Sequence, residues 1–247
     1  MVRTGNTEDI VEEQYADLDT DIAPWNISEM QVVLKAHWDL PCNWKVLAEN
    51  FMESYHHAVA HVKTLQPIMP TRGTWTEGEK PNYVRCHLTY GDRARQEITD
   101  TESRGERWDF FPTVEGLDDT GRHEWGLVMG YPFLTVVTAP DQVVWYRIDP
   151  VVRDQLRLLT SILVPESTTR HPQFAKMLER GKKEATEFNL EDVEMLSAIQ
   201  HSLYSEGYQG GRLSHLEMPM WQFQRYLAAT ICGIKPTLDR EAADRQH

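Results

Sequence analysis

Three β-rich runs at short spacing constrain the fold of this 247-residue chain more than any other feature. They are residues 125–138, 143–148 and 156–164, and only Pro140-Asp141 and Asp149-Pro150 mark the turns between them. Neighbouring strands joined by so few residues pair antiparallel, because a parallel return needs a crossover of a dozen residues or more. The three runs therefore predict an antiparallel sheet.

Two further strands and a long helix complete this prediction. Residues 30–40 and 83–90 have the β-branched and aromatic composition of strands, whereas residues 172–204 repeat apolar side chains at helical spacing. Strands grouped in the middle and helices towards the ends predict an α+β fold. In this fold the antiparallel sheet surrounds a long C-terminal helix.

A last helix is predicted to end near Cys232, but the pattern leaves its start open. Ser214 and Glu217 have the spacing of a capping box, which would begin the helix there. Pro219 instead favours a position in the first turn. Both starts are consistent with the sequence.

The domain boundaries follow from composition. Residues 1–24 are polar and acidic and are predicted to be a flexible lead-in, residues 25–235 to be one domain, and residues 236–247 to be a tail. Residues 91–123 are charged and carry several glycines, which favours a long mobile excursion over one end of the sheet.

The charge balance limits the partners of the protein. The net charge is −13, which disfavours nucleic acid and anionic membranes because both would repel the surface. No apolar run is long enough to span a bilayer. The three cysteines form no CxxC pair and leave an odd thiol, which favours a reducing, cytoplasmic location.

Residues 43–61 hold the densest set of chemically active side chains in the chain. On a helix begun by Asn43 as N-cap, one side is the core face, formed by Trp44, Leu47, Phe51, Tyr55 and Ala58. The opposite side carries Glu49, Glu53 and His56, with Asn50 and His57 beside them. This polar side is either an ordinary solvated face or part of a metal site.

Helical geometry alone favours one histidine pair as metal ligands. His57 and His61 are spaced i, i+4 and share a face, whereas His56 and His61 are spaced i, i+5 and point about 140° apart. The second pair could bind one metal only if the helix ended or distorted between them.

A third candidate ligand lies far along the chain. Asp192 sits at the centre of an apolar stripe on the helix through residues 188–203, where a buried carboxylate needs a polar partner or a metal. Glu191 and Glu194 point away from that stripe and are predicted to be surface acids. Two histidines and one carboxylate with open coordination positions are the ligands with which non-haem Fe(II) activates O₂.

The spacing of these residues resembles a known family. Asn43-Trp44-Lys45, Glu49-Asn50-Phe51, Glu53-Ser54-Tyr55-His56 and His61 resemble the catalytic-domain signature of Rieske-type ring-hydroxylating oxygenase α subunits. Glu191-Asp192, Gln200 and the Gly-Arg-Leu-Ser of residues 211–214 resemble its C-terminal half, so the likeness spans roughly residues 25–235.

The resemblance implies a specific site. His56, His61 and Asp192 would hold one mononuclear Fe(II), which replaces the His57–His61 pair favoured by helical geometry. Glu53 would pass electrons to the iron, and Asn50 and Tyr55 would support the ligands. The implied fold is the helix-grip domain of START and Bet v1 proteins, and family members usually assemble as trimers.

The family also carries a [2Fe–2S] cluster bound by Cys-x-His and Cys-x-x-His, and these 247 residues contain neither motif. The cluster domain is then on a separate electron-donor protein, has been cut away or has been lost. The predicted function is oxygen insertion from O₂ into a small organic substrate, aromatic or apolar. The alternatives are a non-catalytic ligand-binding module or a structural subunit that keeps a relic iron site.

Overall fold

The computed structural model describes residues 15–103 and 111–233, and an antiparallel sheet dominates them. The strands are β1 Met30–Leu40, β2 Thr74–Thr76, β3 Tyr83–Thr89, β4 Glu124–Gly130, β5 Leu134–Thr138, β6 Val143–Val152 and β7 Gln155–Pro165. The helices are α1 Ala16–Ile22, α2 Trp44–Phe51, α3 Asp92–Ser103, α4 Asp119–Arg122, α5 Glu166–Thr169, α6 Phe174–Ser202 and α7 Met218–Ile231.

The strand order in the sheet is β1-β7-β6-β5-β4-β3-β2, with every neighbouring pair antiparallel. The 29-residue helix α6 lies against this sheet and buries Leu196 with Leu40, Leu47 and Leu158. The predicted α+β helix-grip fold, an antiparallel sheet around a long C-terminal helix, is thereby confirmed.

The predicted strand over residues 125–138 is two strands. β4 and β5 pair with each other around residues 131–133, and Gly130 lies opposite Leu134. Tyr131, Pro132 and Phe133 form the turn. Because these residues are apolar, composition alone does not distinguish the turn from the strands on either side. Pro132 has no backbone N–H, so it cannot continue the ladder.

The N-terminal prediction is wrong for residues 15–24. α1 buries Leu18, which is 2% exposed, against Tyr83 and Val128 of the sheet. Just after it, the indole N–H of Trp25 donates a 2.7 Å hydrogen bond to the Ala139 carbonyl. This stretch is therefore part of the folded domain, whereas residues 1–14 and the predicted tail at 236–247 lie outside the described residues.

The predicted mobile excursion over residues 91–123 is also wrong where the structure describes it. Residues 92–103 form α3, which buries Ala94 and Ile98 in the main hydrophobic cluster together with Phe111. Apolar residues at i, i+4 are few here but suffice to fix one helical face. Residues 104–110, with Trp108 and Phe110, lie outside the described residues.

The helix predicted over residues 43–61 ends at Phe51. Asn43 is its N-cap, as predicted, since its side chain accepts a hydrogen bond from the Lys45 backbone N–H. A 3₁₀ turn over Tyr55–Ala58 follows, and there the Glu53 carboxylate accepts the His56 backbone N–H at 3.1 Å. This local side-chain acceptor competes with the helical carbonyl and starts a new turn.

The helix break overturns the predicted core and solvent faces. The ring of Tyr55, placed on the core face by the helical pattern, is 59% exposed. Glu53, placed on the solvated face, is buried. The chain between Phe51 and His61 therefore turns its polar side chains inward.

The start of the last helix combines the two sequence signals. Ser214 and Glu217 form a capping box on a 3₁₀ turn over His215–Glu217. Pro219 then occupies the first turn of α7. Among the described residues, no helix is both long and apolar enough to cross a membrane.

Candidate metal centre

Three side chains from two distant parts of the chain converge at one end of the sheet. His56 lies on the 3₁₀ turn after α2, His61 follows five residues later, and α6 brings in Asp192. Their ligand atoms all lie within 4.8 Å of one another. The Nε2 atoms of His61 and His56 are 3.1 Å and 3.8 Å from Asp192 Oδ1.

Two contacts between α2 and α6 hold Asp192 in this position. The amide of Asn50 donates to Asp192 Oδ1 at 3.2 Å. At the N-terminal end of α2, the Asn43 backbone N–H donates a 2.7 Å hydrogen bond to Gln200 Oε1 of α6. Asn50 therefore touches a candidate ligand directly, whereas Tyr55, which was predicted to support the site, points towards solvent.

Each candidate histidine has a carboxylate on its second ring nitrogen. His56 Nδ1 is 2.6 Å from Glu53 Oε1, and His61 Nδ1 is 2.7 Å from Glu191 Oε2. A carboxylate at Nδ1 keeps the proton there and leaves the Nε2 lone pair for a metal. This pairing is the usual outer support of a metal-binding histidine.

The prediction that Glu191 is an ordinary surface acid is wrong. Besides His61 Nδ1, its Oε2 accepts a 2.7 Å hydrogen bond from the hydroxyl of Thr64. The helical wheel pointed Glu191 away from the apolar stripe, but it could not show that residues 61–64 pack over that side of α6. The available signal was chemical, because a metal-binding histidine needs an acceptor for its second nitrogen.

His57 occupies a different environment from its two neighbours. The three imidazole rings are almost equally spaced, with centroids 4.9 to 5.3 Å apart. His57 Nδ1, however, contacts the Met69 carbonyl at 3.4 Å and has no carboxylate there. Burial and the neighbouring histidines lower the pKa of His57 to about 3, so it is neutral. The structure therefore does not support the His57–His61 pair that helical geometry favoured.

The electrostatics of the cluster favour a cation. Burial by itself would lower the pKa of His61, but hydrogen bonds to Asp192 and Glu191 and their negative charges outweigh burial and raise it. Two ligands that each lie about 2.1 Å from one metal can be at most about 4.2 Å apart. The separations of 3.1 Å and 3.8 Å between Asp192 and the two histidines meet this limit. Two imidazoles and one carboxylate brought together in this way fit a metal ion.

A cavity of about 90 Å³ opens beside the cluster. The sheet and helices α2 and α6 line it mainly with apolar side chains: Leu47, Phe51, Leu65, Leu88, Trp125, Leu127, Val137, Tyr146, Ile148, Leu158 and Phe188. Its polar lining consists of the cluster with Asn50, Glu53 and His57, and of Thr135 and Asn189. Trp75 is not part of this lining and stacks on His87.

Replacing Glu191 by glutamine is expected to weaken metal binding by about 10- to 100-fold, because an amide holds the His61 Nδ1 proton less strongly than a carboxylate. Titration of purified protein with Fe(II) or Co(II) under anaerobic conditions measures this change. Glu194→Gln on the same helix is the control and should leave the affinity unchanged. Equal affinities in the two variants would contradict the role of Glu191.

A helix-grip domain in which two histidines and an aspartate meet beside an apolar cavity has the make-up of a mononuclear non-haem iron oxygenase domain. The sequence profile of the ring-hydroxylating α subunit, catalytic domain, matches residues 27–233. The chain therefore belongs to this family, whose catalytic domains use a mononuclear non-haem iron.

Solved structures of Rieske oxygenases share this fold. The quaternary ammonium Rieske monooxygenase CntA in complex with an inhibitor superposes with a TM-score of 0.67 at 16% identity, covering 90% of this chain and 56% of CntA. Naphthalene 1,2-dioxygenase from Rhodococcus sp. bound to indole gives 0.63 at 14% identity, covering 91% and 62%. Dicamba monooxygenase bound to 3,6-dichlorosalicylic acid gives 0.54 at 13%, covering 83% and 60%.

These comparisons define the fold and the family and go no further. The chain spans little more than half the length of the CntA structures that it matches. No curated protein sequence matches the chain significantly.

Proposed function

We propose that this chain is the catalytic part of an oxygenase that binds Fe(II) through His56, His61 and Asp192. It inserts oxygen from O₂ into a small organic substrate held in the adjacent cavity. The observation that carries the proposal is the pairing of both histidines with carboxylates at Nδ1, which directs both Nε2 atoms to the metal position beside Asp192. A relic site would have no need of these outer partners.

His56, His61 and Asp192 would hold Fe(II), which would offer open coordination positions for O₂ and one of the two electrons that oxygen insertion needs, the second coming from the electron donor. The chain itself does the remaining work. Asn50 orients Asp192 through a hydrogen bond, and Glu53 and Glu191 fix the ring planes and protonation of the two histidines. The apolar side chains around the site exclude water and bring the substrate next to the metal position.

The cavity supports an aromatic or apolar substrate. Phe51, Trp125 and Phe188 offer ring faces and edges to a bound molecule, and the aliphatic lining excludes bulk water. The volume of about 90 Å³ favours a small compound.

The electrons come from a protein that carries a [2Fe–2S] cluster. Glu53 is the proposed link, because its carboxylate lies 2.6 Å from Nδ1 of the metal-binding His56. The segment around it presents Tyr55, Val59 and Val62 to solvent, and Val59 is 82% exposed. Apolar side chains exposed together in this way suit a protein partner. Assembly as a homotrimer stays a prediction.

Single-turnover chemistry tests the oxygenase proposal. The protein is loaded with Fe(II) anaerobically, given one equivalent of a one-electron photochemical reductant per iron, and exposed to O₂ together with toluene, cumene or indole. We expect oxygenated product at up to about one equivalent per iron, detected by mass spectrometry with ¹⁸O₂. The Asp192→Ala variant should form none. Iron-loaded protein that binds these compounds but forms no labelled product would favour the non-catalytic ligand-binding module.

A further inference from the structure

Tyr146 places a phenol group in the apolar cavity. It lies on β6, between Thr135 on β5 and Thr160 on β7, and its side chain lines the cavity. Its ring packs edge-on against Phe51 at the end of α2, with centroids 5.7 Å apart and planes 70° apart. The sheet on one side and α2 on the other therefore fix the direction of this side chain.

The hydroxyl of Tyr146 is available as a hydrogen-bond donor. Burial, and to a lesser extent the negative charge of Asp192, raise its pKa well above the usual value, so the proton stays on the oxygen. The hydrogen bonds found among residues 15–103 and 111–233 include none from this hydroxyl. Tyr146 is partly buried between two hydrophobic clusters, and a phenol in such surroundings normally finds a partner.

The other hydroxyl of the cavity lining is already engaged. Thr135 donates its proton to the Tyr146 backbone carbonyl at 2.6 Å. The amide of Asn189 donates to the Ala185 carbonyl of its own helix, also at 2.6 Å. Tyr146 is thus the uncommitted hydroxyl of the lining.

The charge of the lining limits what Tyr146 can meet. The charged groups of the described lining are confined to the metal end, where Glu53 and Asp192 carry negative charge. No lysine or arginine among the described residues lines the cavity. Bound Fe(II) would be outweighed by the carboxylates of Glu53, Glu191 and Asp192 around it. An anionic substrate would therefore be desolvated without a compensating positive charge, which is costly.

We propose that Tyr146 positions the substrate by donating a hydrogen bond to an uncharged acceptor, such as a ketone, ether or ring nitrogen. The substrate class is therefore small and neutral, with one acceptor group and no carboxylate. This inference rests on the proposed function in that it takes the cavity beside the metal centre as the substrate site.

Three ligands of almost equal shape test this proposal. Cumene, acetophenone and benzoate each carry a three-heavy-atom branch on one benzene ring, and they differ in having no acceptor, a neutral acceptor and a negative charge. Binding to the full-length, chelator-treated protein is measured by calorimetry. We expect Tyr146→Phe to lower the affinity for acetophenone by about 10-fold and the affinity for cumene by less than about 2-fold. Benzoate should bind on the order of 100-fold more weakly than acetophenone to the unchanged protein.

Tyr131→Phe is the matched control, since it removes a buried phenol that lies outside the cavity lining. It should leave all three affinities unchanged. The proposal is wrong if Tyr146→Phe lowers the affinities for acetophenone and cumene equally, or leaves both unchanged. It is also wrong if benzoate binds to the unchanged protein as tightly as acetophenone does. If Tyr146→Phe abolishes the binding of all three ligands, the unfolding midpoint of the variant is measured. An unchanged midpoint would then also contradict the proposal.

The same measurements separate this proposal from the oxygenase proposal. They need neither iron nor O₂, so selective loss of acetophenone would support the role of Tyr146 even in a protein that forms no product. Conversely, if labelled product forms but Tyr146→Phe leaves the ligand affinities unchanged, the oxygenase proposal stands and the role of Tyr146 in positioning the substrate is wrong.

Discussion

The Asp192→Ala variant is expected to lose stoichiometric iron. Its carboxylate is the one member of the candidate ligand set that contacts both histidines, and no other carboxylate belongs to the cluster found in the described residues. The loss of affinity should exceed the roughly 10- to 100-fold that removal of an outer partner costs. His56→Ala should have a comparable effect, because it removes one of two nitrogen ligands.

Iron analysis after anaerobic reconstitution measures this loss, with one iron per chain expected for the unchanged protein. Two variants sharpen the result. Glu194→Ala, on the same helix as Asp192, should keep its iron and shows that changes on α6 are tolerated. His57→Gln should also keep its iron, although helical spacing alone would make His57 a ligand. An unchanged iron content in both Asp192→Ala and His56→Ala would contradict the proposed site.

The second large effect concerns stability. Phe223 of α7 is fully buried and packs against Trp44 of α2 and Tyr131 of the turn between β4 and β5, with ring centroids 5.9 Å and 5.6 Å away. Phe223→Ala is expected to lower the free energy of unfolding by about 3–5 kcal/mol, because it removes a large ring and leaves a cavity between three elements. Since α2 also carries Asn50, the same change should loosen the metal centre.

Urea unfolding followed by circular dichroism measures this effect. Trp221→Ala provides the contrast on the same helix, because Trp221 is 40% exposed. Its replacement should cost less than about 1 kcal/mol. Equal losses in the two variants would mean that α7 is not anchored through Phe223.

The parts of the fold that local chemistry determines could be predicted from the sequence. Short turns required antiparallel pairing, and the apolar repeat over residues 172–204 marked α6 almost to its ends. Asn43 marked the beginning of α2 through its capping side chain. In each case the decisive interaction joins residues only a few positions apart.

The features that were missed depend on long-range contacts. The resemblance required the helix that begins after Asn43 to break before His61, but the break comes already at Phe51. There Glu53 accepts a backbone N–H, and the Ser54 hydroxyl bonds to that of Thr74. Leu18 was placed in a flexible segment because its burial comes from Tyr83 and Val128, more than sixty residues away. A pattern within the segment contains no information about such partners.

In the candidate site too, local features could be predicted from the sequence and features that depend on long-range contacts could not. Asp192 could be singled out because a carboxylate in an apolar stripe is costly by itself. The choice of His56 over His57 came from the family resemblance, because it depends on where the chain leaves the helix. The role of Glu191 was missed because its partners His61 and Thr64 lie about 130 residues earlier.

The pairing of β1 with β7 also has a consequence for how the protein is made. β1 ends at Leu40 opposite Leu156, so a segment that leaves the ribosome early must wait for more than a hundred further residues before it can enter the sheet. Contacts at such separation slow folding, since the long loop between them must close first. The histidine segment emerges in this same interval, well before α6 can supply Asp192. Nascent chains that end before Asp192 therefore have no complete ligand set, and metal capture has to follow synthesis of α6.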